Sequence, residues 1–143
     1  MAYDPNNIFA KILRGEVPSH KVWEDADTIA ILDVMPQSDG HTLIIPKTPA
    51  ENLFDLDTGM AEAVMRTGQR LALAVHRAFH PDGVTLMQFN GAEAGQTVFH
   101  FHLHVIPRYA GQPLRSHGRG FADPAVLTEQ AMHLKAALYS LEP

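Results

Sequence analysis

Between residues 98 and 106 the chain alternates position by position. His100, His102 and His104 fall on one side of an extended strand, and Phe101, Leu103 and Val105 on the other. The run has no Gly or Pro and is rich in β-branched and aromatic residues, which predicts a strand with one apolar face on a core. Residues 20–24 and 28–32 predict two strands joined by the acidic turn 24–27. Residues 41–46 are mostly apolar and predict a central strand, and residues 84–89 a fourth. A period of three to four residues through Met60, Val64, Gly68, Leu71, Val75 and Phe79 predicts one long helix. Asp57 or Thr58 caps it, and Met60 and Met65 read as core filler. A short helix runs from Asn6 or Asn7 to Arg14 with Ile8, Phe9, Ile12 and Leu13 on one face, and residues 51–56 read as a brief helical turn. Residues 1–5 read as a loose start. Asp123-Pro124 opens a last helix whose apolar face is Val126, Leu127, Ala131, Leu134, Leu138 and Leu141. The pattern is α+β: an antiparallel sheet of about five strands, the long helix inserted before the last two, and a C-terminal helix.

Composition narrows the class. The 143 residues are 45% hydrophobic and 19% charged, as expected of one globular domain spanning 1–143. A net charge of −5 with no basic cluster argues against nucleic acid as a partner. There is no cysteine, which excludes disulfides and thiolate metal sites. No apolar run approaches the ~20 residues that span a bilayer, and no signal peptide is visible, so a soluble cytoplasmic protein is expected.

Three imidazoles in a row suit a metal site, acid–base or nucleophilic work on phosphate, or, least informatively, a solvated strand face. The loop at 90–95 (Asn90-Gly91-Ala92-Glu93-Ala94-Gly95) is small enough for its backbone to approach a ligand closely. Asp33 reads as a turn residue and His41 as a loop-end residue on bare sequence. His20, His76, His80, His117 and His133 read as surface residues. The Gly/Pro/Arg-rich segment after Arg108, to Gly120, reads as a solvated loop, with contact to a leaving group as the rarer alternative.

The His100-x-His102-x-His104 run, followed by Val105-Ile106, resembles the signature of the histidine triad (HIT) nucleotide hydrolases. Residues 7–18 (NIFAKILRGEVP), 31–34 (ILDV) and 41–47 (HTLIIPK) resemble that family's preceding blocks, in order, so the likeness covers roughly residues 5–108. The resemblance implies a homodimer. It also implies that His102 attacks the α-phosphorus of a nucleotide to form a nucleotidyl-histidine, which water hydrolyses. His104, Gln96 and Thr97 would bind phosphate oxygens, while His100 and His41 would orient the nucleophile and relay a proton. Asp33 would accept hydrogen bonds from the ribose hydroxyls, with Ile8, Phe9 and Val34 beside the nucleoside and Asn90 and Gly95 near the phosphate. No metal cofactor is required, although Mg²⁺ is compatible with a polyphosphate substrate. Many bacterial relatives carry Cys-x-x-Cys at the positions of Asn7 and Ala10, so their structural zinc is not expected here. The nucleotidyl-transferase branch has Gln at the third triad position, and His104 favours hydrolysis. Where relatives often have a phosphate-side amide this chain has Phe89, flanked by Gln88 and Asn90. The amino-terminal half is similar to purine nucleoside phosphoramidases, and residues 93–98 and 106–108 to dinucleoside polyphosphate hydrolases. Both release AMP. The alternatives are a metal site made of the three triad histidines and a nucleotide-binding regulatory module with negligible turnover.

Overall fold

Helix α1 (Ile8–Leu13) starts where the Asn7 side chain accepts a hydrogen bond from Ala10 N, and ends before Gly15, whose positive φ of 77° suits a residue without Cβ. The computed structural model describes residues 2–116 and 120–141. Strands β1 (Lys21–Glu24), β2 (Thr28–Leu32) and β3 (Thr42–Pro46) follow, then helix α2 (Thr58–Phe79), β4 (Gly83–Met87), β5 (Leu103–Arg108) and helix α3 (Pro124–Leu141). The five strands form one antiparallel sheet in the order β1-β2-β3-β5-β4. The expected α+β architecture is therefore the observed one.

The two faces of the sheet have different jobs. On one face, Phe101, Leu103 and Val105 join Ala30, Leu32 and Ile44 in a core with Val64, Leu71 and Val75 of α2 and Leu127, Leu134 and Leu138 of α3. Gly68 lets α2 lie close to β5, since a Cβ there would sit 2.9 Å from the Leu103 side chain. On the other face, Ile29, Ile31, Leu43 and Ile45 pack with Phe9 of α1. That second cluster is small and leaves part of the sheet face uncovered. The uncovered part becomes the cleft.

Several boundaries differ from the sequence expectation. Strand β5 begins at Leu103, not near residue 98. Its ladder with β3 ends at Ile44↔Leu103, and the neighbouring strand closes at Pro46, which has no N–H to donate. The preceding chain is tied instead by Phe101 N to Ala50 O, at 2.8 Å. Residues 51–56 form turns because the Asp55 carboxylate accepts from Glu51 N and Asn52 N, replacing helical bonds. Met65 is exposed, one position around the helix from buried Val64, so it is not core filler, and Met60 is only half-buried.

Candidate active site

A cleft of about 730 Å³ opens on the sheet face opposite α2. Register explains its floor. His104 pairs with Leu43 of β3 and Met87 of β4, and directly opposed residues share a face, so all three line the cleft. Ile8, Phe9 and Ile12 of α1 form one wall, with Asp33, Val34 and Met35 beside them, and Phe89, Gly95 and Thr97 also line the cleft. Gly95 adopts φ 104°, which disfavours any residue with a Cβ.

Hydrogen-bond partners assign the proton on each imidazole. His102 Nδ1 lies 2.7 Å from the carbonyl oxygen of His100, which can only accept, so Nδ1 carries the proton and Nε2 the lone pair. His100 Nε2 donates to Pro46 O at 2.8 Å, leaving Nδ1 to accept from the Tyr3 hydroxyl at 2.5 Å. His41 Nδ1 accepts from Gln37 N at 3.0 Å, so its Nε2–H faces His104 Nδ1 at 2.9 Å, with Asp33 Oδ2 3.5 Å away. His104 consequently holds its own proton on Nε2. Side by side on the cleft are thus an imidazole with a basic Nε2 (His102) and one with an Nε2–H donor (His104), their rings 5.0 Å apart. The Phe9 ring stands edge-on to His102 at 4.8 Å and limits its swing. An unprotonated nitrogen beside a fixed donor is suited to attack on a phosphorus centre whose oxygens gain charge.

A polar network also holds the edge of the cleft. Asp33 is buried, its Oδ1 accepting from Met35 N at 2.9 Å. Asp33 N also donates to His41 O, so the loop between them closes over the His41 ring. Burial pushes the His100 pKa down from its ordinary 6.5, opposed by the bond to Pro46 O. Folding therefore favours neutral His100, and its stabilising contribution is full above the unfolded pKa and lost as pH falls from there through the folded pKa. The urea midpoint should drop as pH falls below the ordinary 6.5, and His100→Gln should show a shallower drop than the unsubstituted chain. Equal slopes would mean that His100 is not the linked group.

A model of the HIT domain matches residues 14–111. The chain belongs to the HIT domain family. Over 104 residues, 73% of this HIT chain and 72% of the other, it is 43% identical to the protein named Hit from Bacillus subtilis. Adenylylsulfatase HINT3 of Arabidopsis thaliana is 39% identical over 116 residues, covering 77% of this chain and 59% of that protein. The crystal structure of a Hit-like protein involved in cell-cycle regulation from Bartonella henselae, with an unknown ligand, superposes with a TM-score of 0.89 and 48% identity. That match covers 95% of this chain and 99% of the other.

The cleft of this HIT protein brings together Ile8, Phe9, Asp33, Val34, Gly95, Thr97, His102 and His104. Four candidates stand behind it. His41 is fully buried beneath His104, and the His100 ring is held between Tyr3 and Pro46, so neither imidazole lines the cleft. Gln96 does not offer its amide to a ligand: Nε2 donates to Glu51 O and Val98 O, and Oε1 accepts from Gly91 N. Asn90 exchanges amide hydrogen bonds with Gln88 and accepts from Leu53 N, so Phe89 is the member of that trio on the cleft, edge-on to His104 at 5.7 Å. The three triad histidines do not converge as a ligand set. Among the described residues, the group whose ligand atoms lie within 4.8 Å of one another is Asp33, His41 and His104, and in it His41 and His104 face each other as donor and acceptor. His20 is half-buried and His76, His80 and His133 are exposed, while His117 lies outside the described residues. Sequence reasoning missed Tyr3, Gln37 and Phe121. The first two act through contacts 97 and 4 positions away, and Phe121 borders the cleft from the chain following the triad strand.

Proposed function

We propose that this HIT protein hydrolyses the α-phosphate linkage of adenylylated substrates, nucleoside phosphoramidates or dinucleoside polyphosphates, and releases AMP. The observation that carries the reading is the 2.7 Å contact between His102 Nδ1 and the His100 carbonyl, which assigns the proton to Nδ1 and the lone pair to Nε2 of a residue that lines the cleft. In the first step His102 Nε2 bonds to the α-phosphorus as the bond to the leaving group breaks, and the leaving group departs with the bonding pair and takes up a proton from solvent. Water then adds its oxygen to the phosphorus as the phosphorus–His102 bond breaks, its proton passes to solvent, AMP departs, and His102 returns to its neutral state with Nδ1–H retained. Two displacements replace one harder one.

The other residues take roles that fit their positions. His104 Nε2–H donates to a non-bridging oxygen, supported by Thr97 at the rim. His41 acts through His104, keeping its proton on the cleft side. His100 acts through its peptide carbonyl, which replaces the proton relay expected of its ring. The apolar walls of Ile8, Phe9, Ile31 and Val34 suit a nucleoside, and Asp33 at their edge suits its ribose hydroxyls. A volume of about 730 Å³ lies within the ordinary range for sites that enclose a small ligand. A homodimer in the cytoplasm belongs to the same proposal, as does catalysis without a resident metal, with Mg²⁺ entering only on a polyphosphate. No helix among the described residues is long and apolar enough to cross a membrane.

The test is AMP release from an adenosine phosphoramidate, a diadenosine polyphosphate and adenylyl sulfate, the last prompted by the name of the plant relative. Release that persists in EDTA is the expected result, and the ratio of kcat/KM values ranks the leaving groups. AMP binding without release from any of the three would overturn the hydrolase reading in favour of a nucleotide-binding module. Loss of release in EDTA with the phosphoramidate would overturn metal-independent catalysis.

A further inference from the structure

The chain before α1 reaches the back of the triad. Tyr3 OH donates to His100 Nδ1 at 2.5 Å, and its ring meets the imidazole edge-on, centroids 5.6 Å apart. Asp4 and Pro5 anchor that segment: Asn7 N and Nδ2 donate to Asp4 O, and Arg14 Nη1 to Pro5 O at 2.7 Å. His100 is fully buried, so its ring needs a partner at both nitrogens, and Pro46 O satisfies only one. The peptide carbonyl of the same residue fixes the proton on His102. One residue therefore couples the N-terminal segment to the tautomer of the cleft histidine.

We propose that Tyr3 is a positioning residue for His102: its hydroxyl locks the His100 ring and so holds the His100 carbonyl against His102 Nδ1. The ring cannot rotate without facing its lone pair to the Pro46 carbonyl, and the backbone that carries it stays in place. Without the hydroxyl, His100 Nδ1 has no donor and residue 100 samples other orientations. His102 then loses part of its preference for Nδ1–H. The inference rests on the proposed role of His102 for its kinetic consequence, but not for its spectroscopic one.

Two measurements on the full chain, with Tyr3→Phe and Tyr3→Ala, separate these. In AMP release, Tyr3→Phe should lower kcat about threefold to tenfold, the weight of one neutral hydrogen bond, and leave KM within about twofold, since Tyr3 does not line the cleft. In imidazole ¹⁵N spectra, Tyr3→Phe should move His100 Nδ1 away from a hydrogen-bonded acceptor shift and shift His102 toward a mixture of tautomers. Tyr3→Ala, which also removes the ring contact, should do both at least as strongly. A raised KM with unchanged kcat would overturn the proposal, making Tyr3 a substrate contact. An unchanged His102 spectrum in Tyr3→Phe would overturn it whatever the kinetics. If the unsubstituted chain releases no AMP, the hydrolase reading fails, and the His102 spectrum alone still decides the role of Tyr3.

Discussion

Replacing His102 with Ala is expected to lower kcat/KM for AMP release by about 10³- to 10⁵-fold, because it removes the only nitrogen to which the reaction path bonds. AMP affinity should change little. Binding in this account comes from the walls of Ile8, Phe9 and Val34 and from Asp33, none of which needs the imidazole. His102 is also largely buried, its exposure 9%, so the substitution leaves a cavity beside Phe9 and some loss of stability is expected with the loss of rate. The two are separable. The residual rate should stay low at temperatures where circular dichroism shows the variant folded. A variant that is folded, binds AMP and turns over within tenfold of the parent would remove His102 from the reaction.

The second large effect is expected at His41, which never touches the cleft. Its ring accepts from Gln37 N and faces His104 Nδ1, and it is wholly inaccessible to solvent. His41→Leu fills much of the space but orphans the Gln37 N–H, at a cost on the order of 1–3 kcal/mol of stability. His104 Nδ1 loses its donor at the same time, so the proton of His104 is no longer held on the cleft side. A loss of about 10- to 100-fold in kcat/KM is expected, comparable to removing an orienting partner behind other catalytic or metal-bound histidines. Urea unfolding and AMP release together check it. Reduced stability with an unchanged rate would show that His41 only fills the core.

Part of the cleft's geometry is legible in the sequence. Alternation placed Phe101, Leu103 and Val105 on the core face, and they are buried there. It also put His100, His102 and His104 together on the opposite face; His102 and His104 line the cleft, while the His100 ring is buried behind it. Asp33 and His41 stood out only through the resemblance. Their proximity follows from the loop that Asp33 N and His41 O close, and residue type alone does not signal it. What escaped the sequence has a common cause. The true start of β5 depends on Pro46 of a neighbouring strand, and the fate of the Gln96 amide depends on Glu51 O, 45 positions away. The Tyr3 hydroxyl meets a partner 97 positions away. Period and propensity report which way a side chain faces along its own element, and are silent about which distant carbonyl waits there. Phe89 carries the same lesson. Its neighbours Gln88 and Asn90 are both amides suited to phosphate, yet they satisfy each other and leave the aromatic ring on the cleft.

Asn7 and Ala10 together hold the start of α1. The Asn7 side chain accepts from Ala10 N at 2.9 Å and caps α1, so the start of the helix is held by a hydrogen bond at the positions where the resemblance places paired cysteines in many bacterial relatives. Phe9 between them packs on both the second core cluster and His102. The start of this short helix thus bears directly on the geometry of the cleft.

The proposed course of the reaction is two successive displacements at the α-phosphorus, the first by His102. It is tested most directly by the stereochemical course of the reaction on an adenylylated substrate that carries sulfur at the α-phosphorus in a single configuration, hydrolysed in ¹⁸O-labelled water. Each in-line displacement inverts the phosphorus centre, so net retention is expected in the released nucleoside phosphorothioate. Net inversion would mean that water attacks the substrate directly, and would contradict the nucleotidyl-histidine on His102.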